Sequence, residues 1–188
     1  GQTATVNAVL PTTIEVIARN RDGNPVPGGT LVAFTVGANS GAVSTGGGAF
    51  ATRVTAKTDG AGVATASWRL DTQLGTNTLT ASVPNVEPVT FSATGQADTA
   101  TELVVVTAPN SPSLSGAAFT TQPALQRRDQ FGNPVLTSGV GISASVPAGY
   151  SLVGSPSATT AGTGTATFGD LGVSGAAGGV TITFASGS

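Results

Sequence analysis

Cysteine, histidine and methionine are absent from this chain, which also has one Trp, one Tyr and a single Lys in 188 residues. Without Cys no disulfide can staple the fold, so antibody-type domains with a sheet-to-sheet disulfide are excluded and thiols say nothing about redox compartment. Without His or Cys, the Ser-His and Cys-His arrangements of nucleophilic catalysis are excluded as well. No Gly-x-Ser-x-Gly elbow or Walker-type phosphate loop takes their place. The nine acidic residues are spread singly over turns and strand ends, not paired as a glycosidase requires, so no catalytic residues are expected. The lack of Met even at position 1 suits a processed form, a fragment or a repeat excised from something longer, with any signal peptide already gone.

Charge is scarce too, at 9% of residues. Residues 1–96 balance Arg19, Arg21, Arg53, Lys57 and Arg69 against Glu15, Asp22, Asp59, Asp71 and Glu87. The remainder sets Arg127 and Arg128 against Asp98, Glu102, Asp129 and Asp170. Such a balance cannot neutralise a phosphate backbone, so no nucleic-acid partner is expected. No apolar run approaches the ~20 residues of a membrane-spanning helix. The longest candidate, Leu103-Val104-Val105-Val106, reads as a strand.

What is present is β-type patterning. Gly, Pro or Asn interrupts the chain too often for helices to nucleate. Ile14, Val16 and Ala18 share one face, with Glu15 and Arg19 opposite. Ala64, Ala66, Trp68 and Leu70 share another, with Thr65, Ser67 and Arg69 behind them. Trp68 therefore reads as the core aromatic of its sandwich rather than a sugar-stacking platform. Further strands are expected near 30–37, 50–57, 77–83 and 88–94, then at 101–108, 117–127, 139–146, 163–168 and 178–185.

The string Gly-Asn-Pro-Val occurs at Gly23-Asn24-Pro25-Val26 and again at Gly132-Asn133-Pro134-Val135, an offset of 132 − 23 = 109 residues. A second match, of Asp59-Gly60-Ala61-Gly62-Val63-Ala64-Thr65 with Ala161-Gly162-Thr163-Gly164-Thr165-Ala166-Thr167, has an offset of 161 − 59 = 102. Two diverged copies of one unit follow, over residues 1–96 and 97–188. The polar junction at 95–101 is too short for a free linker, which predicts an extended, stiff rod. Each Gly-Asn-Pro-Val is a turn: Gly takes positive φ, Asn bonds locally and Pro fixes φ before the next strand.

These turns also carry a family resemblance. Asp129-Gln130-Phe131-Gly132-Asn133-Pro134-Val135 is similar to the Asp-x-x-Gly-Asn-Pro-Val strand end of bacterial immunoglobulin-like domains of the invasin and intimin kind. The first copy departs from it, with Asn20 for the Asp. Thr58-Asp59-Gly60-Ala61-Gly62-Val63-Ala64 and Gly75-Thr76-Asn77-Thr78-Leu79-Thr80-Ala81 resemble a turn and the following strand of the same domains. The resemblance implies an all-β fold of two tandem immunoglobulin-like β-sandwiches, and an extracellular, cell-surface location in which such domains mostly serve as adhesin spacers.

Asp22, Asp59 and Asp71, with Asn20 and Asn24, would offer oxygen ligands to Ca²⁺ if they gathered at one end of the first unit. The Asp-x-Asp-x-Asp spacing is missing, and no metal or cofactor is expected. Arg127 aligns with Ala18 at a core-facing position, which suits a frayed strand end, an ion pair with Asp129 or contact with a neighbouring domain or subunit. The second copy has no counterpart of the closing strand Val89–Thr94 and ends near Ile182 and Phe184. The segment Gln2 to Leu10 alternates, with Ala4, Val6, Ala8 and Leu10 on one face. Donated to a neighbour's second unit, it would build a head-to-tail homopolymer, with Val6 and Leu10 contributing roughly 3–6 kcal/mol. A structural filament subunit or adhesin stalk flanked by like domains is therefore the leading reading. The alternatives are a glycan- or receptor-binding module, or an accessory domain of a secreted hydrolase or phage particle.

Overall fold

A computed structural model describes residues 1–26, 28–111 and 113–187, and no helix occurs among the described residues. The chain divides into two compact units, Gly1–Gln96 and Ala97–Ser188.

The first unit carries β1 (Gln2–Thr5), β2 (Ile14–Ile17), β3 (Leu31–Val36), β4 (Ala42–Ser44), β5 (Arg53–Lys57), β6 (Val63–Arg69), β7 (Gly75–Ser82) and β8 (Val89–Gln96). They make a five-stranded sheet, β1-β8-β7-β3-β5, and a three-stranded sheet, β2-β6-β4. The two-residue side-chain period sends Ala64, Ala66 and Trp68 of β6 to one side, where they meet Val32, Phe34, Leu79 and Ala93 from the larger sheet in a single core. Trp68 is at its centre, 1% exposed, and its indole Nε1 donates to the Ser40 carbonyl at 2.8 Å. The one polar atom of that ring is thus satisfied where water cannot reach it.

Gln2 to Leu10 does not run as one alternating strand. Asn7 has φ +59°, a left-handed conformation that Asn tolerates better than most residues, and the chain switches sheets there. Before the break β1 pairs in parallel with β8, from Gln2↔Ala93 to Thr5↔Gln96. After it, the Leu10 N–H donates to the Trp68 carbonyl and the Leu70 N–H to the Ala8 carbonyl, binding the segment to the end of β6.

The second unit carries β9 (Glu102–Thr107), β10 (Ala124–Arg128), β11 (Gly141–Ser145), β12 (Tyr150–Val153), β13 (Ser157–Thr159), β14 (Thr165–Thr167), β15 (Gly172–Gly175) and β16 (Thr183–Ser186). Its sheets run β14-β10-β9, β13-β11-β16 and β12-β15. Leu125, Ile142, Ala166, Phe168 and Leu171 form the core, with Phe184 tilted against Phe168 at a centroid distance of 5.5 Å. The strand expected over 117–127 is shorter. Around Phe119 the chain bonds instead to the Leu171–Val173 segment, and Gln122 clamps it there by accepting from the Leu171 N–H and donating to the Leu171 carbonyl. Pro123, which has no N–H to give a ladder, marks the break before β10.

The two units share their register in detail. Val16↔Ala64 and Ile17↔Val63 in the first correspond to Leu125↔Ala166 and Gln126↔Thr165 in the second. The Val26 N–H donates to the Ala18 carbonyl, as the Val135 N–H does to that of Arg127. Gly23 and Gly132 both have φ +82°, which explains why Gly stands first in each Gly-Asn-Pro-Val turn.

Candidate interaction edges

The conspicuous polar residues are spent on closing turns. Asn20 Oδ1 accepts from the N–H groups of Asp22 and Asn24, and Asp59 Oδ1 from those of Ala61 and Val63. Asp129 occupies the position of Asn20 and does more. Its Oδ1 accepts from the N–H groups of Phe131 and Asn133, and its Oδ2 from the Asn133 amide at 3.0 Å and the Asp98 N–H at 3.1 Å. Burial alone would push the Asp129 carboxyl up. The Asn133 side chain, together with the N–H groups of Asn133, Asp98 and Phe131, outweighs burial and holds it below the ordinary Asp value. None of these donors is Arg127, so an ion pair with Arg127, one of the explanations the sequence allowed, is not what holds Asp129. Arg127 lies on β10 opposite Leu103, half-buried, and its Nε has no hydrogen-bond partner.

Gathering of the acids for Ca²⁺ does not occur. Asp59 precedes β6 and Asp71 follows it, so the seven residues of that strand separate them. Seven extended residues span about 23 Å, too far for one ion.

The interface candidates fall into two groups. Val6 and Leu10 are buried at 3% and 5% exposure, while Ala4 and Ala8 are half-buried, all in their own first unit. Within the single chain this segment is engaged rather than free. Its apolar face already finds a core within reach, and its backbone already has ladder partners on β8. Ile182 and Phe184 pack against the core of the second unit. β16 pairs with β11 on one side, and its other edge has no strand among the described residues. In the first unit β7 holds the corresponding place beside β3, and there β8 covers the outer edge.

A second open edge went unread in the sequence. Among the described residues β2 ends its sheet, with β6 on one side only. The signal was Ile17, an apolar residue on the face of β2 otherwise given to Glu15 and Arg19. It is 46% exposed.

The sequence matches no family model, and no curated protein matches it. Solved structures do match. FdeC, an Escherichia coli adhesin, is similar with a TM-score of 0.50 and 18% identity over 98% of this chain and 56% of that chain. The fold is of the invasin and intimin immunoglobulin-like kind. Invasin itself, a bacterial integrin-binding protein, aligns at 19% identity over 99% of this chain and 34% of its own, with a TM-score of 0.44. InvD of Yersinia pseudotuberculosis aligns at 19% identity over 98% of this chain and 50% of its own, with a TM-score of 0.45. The chain thus spans a third to just over half of the length of these matched chains.

Proposed function

We propose that this chain is a non-enzymatic structural segment of an extracellular, cell-surface protein, either a stalk segment of a large adhesin or a subunit of a surface filament. The observation that carries the reading is the use of its polar residues. Asn20, Asp59 and Asp129 each bond within their own turns, on a fold shared with an adhesin. A surface of small and hydroxyl side chains with 9% charge suits a spacer exposed to the medium. In cells that make the parent protein, antibody raised against the chain is expected to label intact, unpermeabilised cells. Labelling only after permeabilisation overturns the extracellular reading.

The partners proposed are copies of itself, head to tail, or flanking immunoglobulin-like domains. The support is the edge of β16 that no strand covers among the described residues, where backbone donors and acceptors lie beside the half-buried Phe184. Because Val6 and Leu10 are engaged in their own unit, assembly through residues 2–10 requires their release from β8. Sedimentation of the full chain is expected to show concentration-dependent association that Ala185→Lys abolishes, because an edge lysine opposes strand addition. A monomer at every concentration removes the filament form and leaves the stalk form.

One observation favours a glycan- or receptor-binding module. A cleft of about 450 Å³ in the second unit brings Tyr150 and Phe119 beside Ser113 and Ser115. The Ser115 hydroxyl is already bonded to both the N–H and the carbonyl of Gly175, so part of that polar lining is committed to the fold. The stalk reading stands ahead of it.

A further inference from the structure

Asp129 makes a bond that its own turn does not require. In the first unit Asn20 closes the corresponding turn with a neutral side chain, its Oδ1 accepting from the N–H groups of Asp22 and Asn24. Asp129 Oδ1 makes the same two bonds, from the N–H groups of Phe131 and Asn133. One oxygen therefore suffices for the turn. The second, Oδ2, accepts from the Asn133 amide at 3.0 Å and from the Asp98 N–H at 3.1 Å, on a residue that is 1% exposed. An Asn at this position has a single acceptor oxygen, which could serve the turn or these two donors but not both.

Asp98 lies in the segment that leads from β8 into β9. On the side of the first unit, Gln96 ends β8 aligned with Thr5, and its carbonyl accepts from the Val6 N–H at 2.8 Å. On the side of the second, the Asp98 N–H is held by Asp129, the Gln130 amide donates to Asp98 Oδ2 at 3.3 Å, and the Thr101 N–H donates to the Arg128 carbonyl at 2.8 Å. The Thr99 N–H turns back onto Asp98 Oδ1, and Glu102 then pairs with Arg128 as β9 begins. No bond of either set involves Ala97.

We propose that Asp129 is a clasp that folds residues 98–101 into the second unit and leaves Ala97 as the joint between the two units. With the clasp closed, the φ and ψ of one residue set how the chain turns there. With it open, all of residues 97–101 contribute, and the range of orientations widens with each residue released. Asp129 is thus a positioning residue, acting through the Asp98 backbone. Its use to the protein rests on the stalk reading, in which reach and direction are carried along the chain. The clasp itself is measured on purified protein, so either can fail without the other.

The chain has no Cys, so spin labels placed by Thr55→Cys and Ser157→Cys, at exposed strand positions in the first and second units, attach nowhere else. Double electron–electron resonance on the full chain is expected to give a distance distribution about twice as broad when Asp129→Asn is added. Asp98→Ala keeps the N–H that the clasp holds and should leave the width unchanged. Hydrogen exchange supplies a local readout. In Asp129→Asn the Thr101 N–H should exchange about tenfold faster, the effect of losing one hydrogen bond to a charged group, while the Ala144 N–H, bonded to the Pro156 carbonyl in the core of the same unit, keeps its rate. Asp98→Pro removes the same donor from the linker side and leaves Asp129 to close its turn, so it should free Thr101 by a similar factor. An unchanged width in Asp129→Asn, an unchanged Thr101 rate in either clasp variant, or an equal acceleration at Ala144 overturns the proposal.

Discussion

Asp129→Ala is expected to destabilise the second unit by about 3 kcal/mol, because a charged acceptor leaves a buried site and several donors lose their partner together. The donors stranded are the N–H groups of Asp98, Phe131 and Asn133 and the Asn133 amide. Asp129→Asn should cost far less, since Asn20 performs the two turn bonds in the first unit with a neutral side chain. The same residue sets an acid limit. The folded Asp129 carboxyl titrates below its ordinary value, despite burial, through its bonds to Asn133, Asp98 and Phe131. Its contribution is therefore fully present above the unfolded value, about 3.9, and is lost as pH falls through the lower folded value. Thermal unfolding followed at Tyr150 from pH 6 to pH 2 should show this loss in the native chain and not in Asp129→Asn. Equal acid sensitivity of the two would show that other carboxylates govern it.

Trp68→Ala is expected to cost the first unit about 4 kcal/mol, the usual penalty for emptying a large aromatic site in a close-packed core. At roughly 4–8 °C per kcal/mol for a domain of this size, the midpoint of that unit falls by about 20 °C. The ring is 1% exposed and meets the core from β6, with its N–H bonded to Ser40. Trp68→Phe keeps part of the packing and drops that bond, so its loss should be about half as large. Differential scanning calorimetry gives both values without relying on the deleted fluorophore. A fall of less than 5 °C for Trp68→Ala would mean that the core closes over the gap.

Strand periodicity, turn chemistry and the core aromatic were legible in the sequence, because each is written locally. Alternation at Ala64 to Leu70 places those side chains on one face whatever surrounds them, and Gly before Asn-Pro announces a positive φ that few other residues accept. β12 and β15 were not legible. β15 lies in a Gly-rich stretch with almost no apolar pattern, and only its pairing with β12, Leu152 opposite Val173, makes it a strand.

The sequence by itself determined that this chain is all-β, where its turns close and which face of most strands is apolar, since a two-residue period and a fixed φ are properties of adjacent residues. Only the tertiary structure decided which edges are covered. Nothing in Gln2–Thr5 says that it pairs in parallel with β8 rather than with another strand, or that β9 covers β10 while among the described residues β2 and β16 pair on one side only. Edge pairing joins residues far apart in the chain, so it is settled by which backbone reaches which edge once the cores have formed.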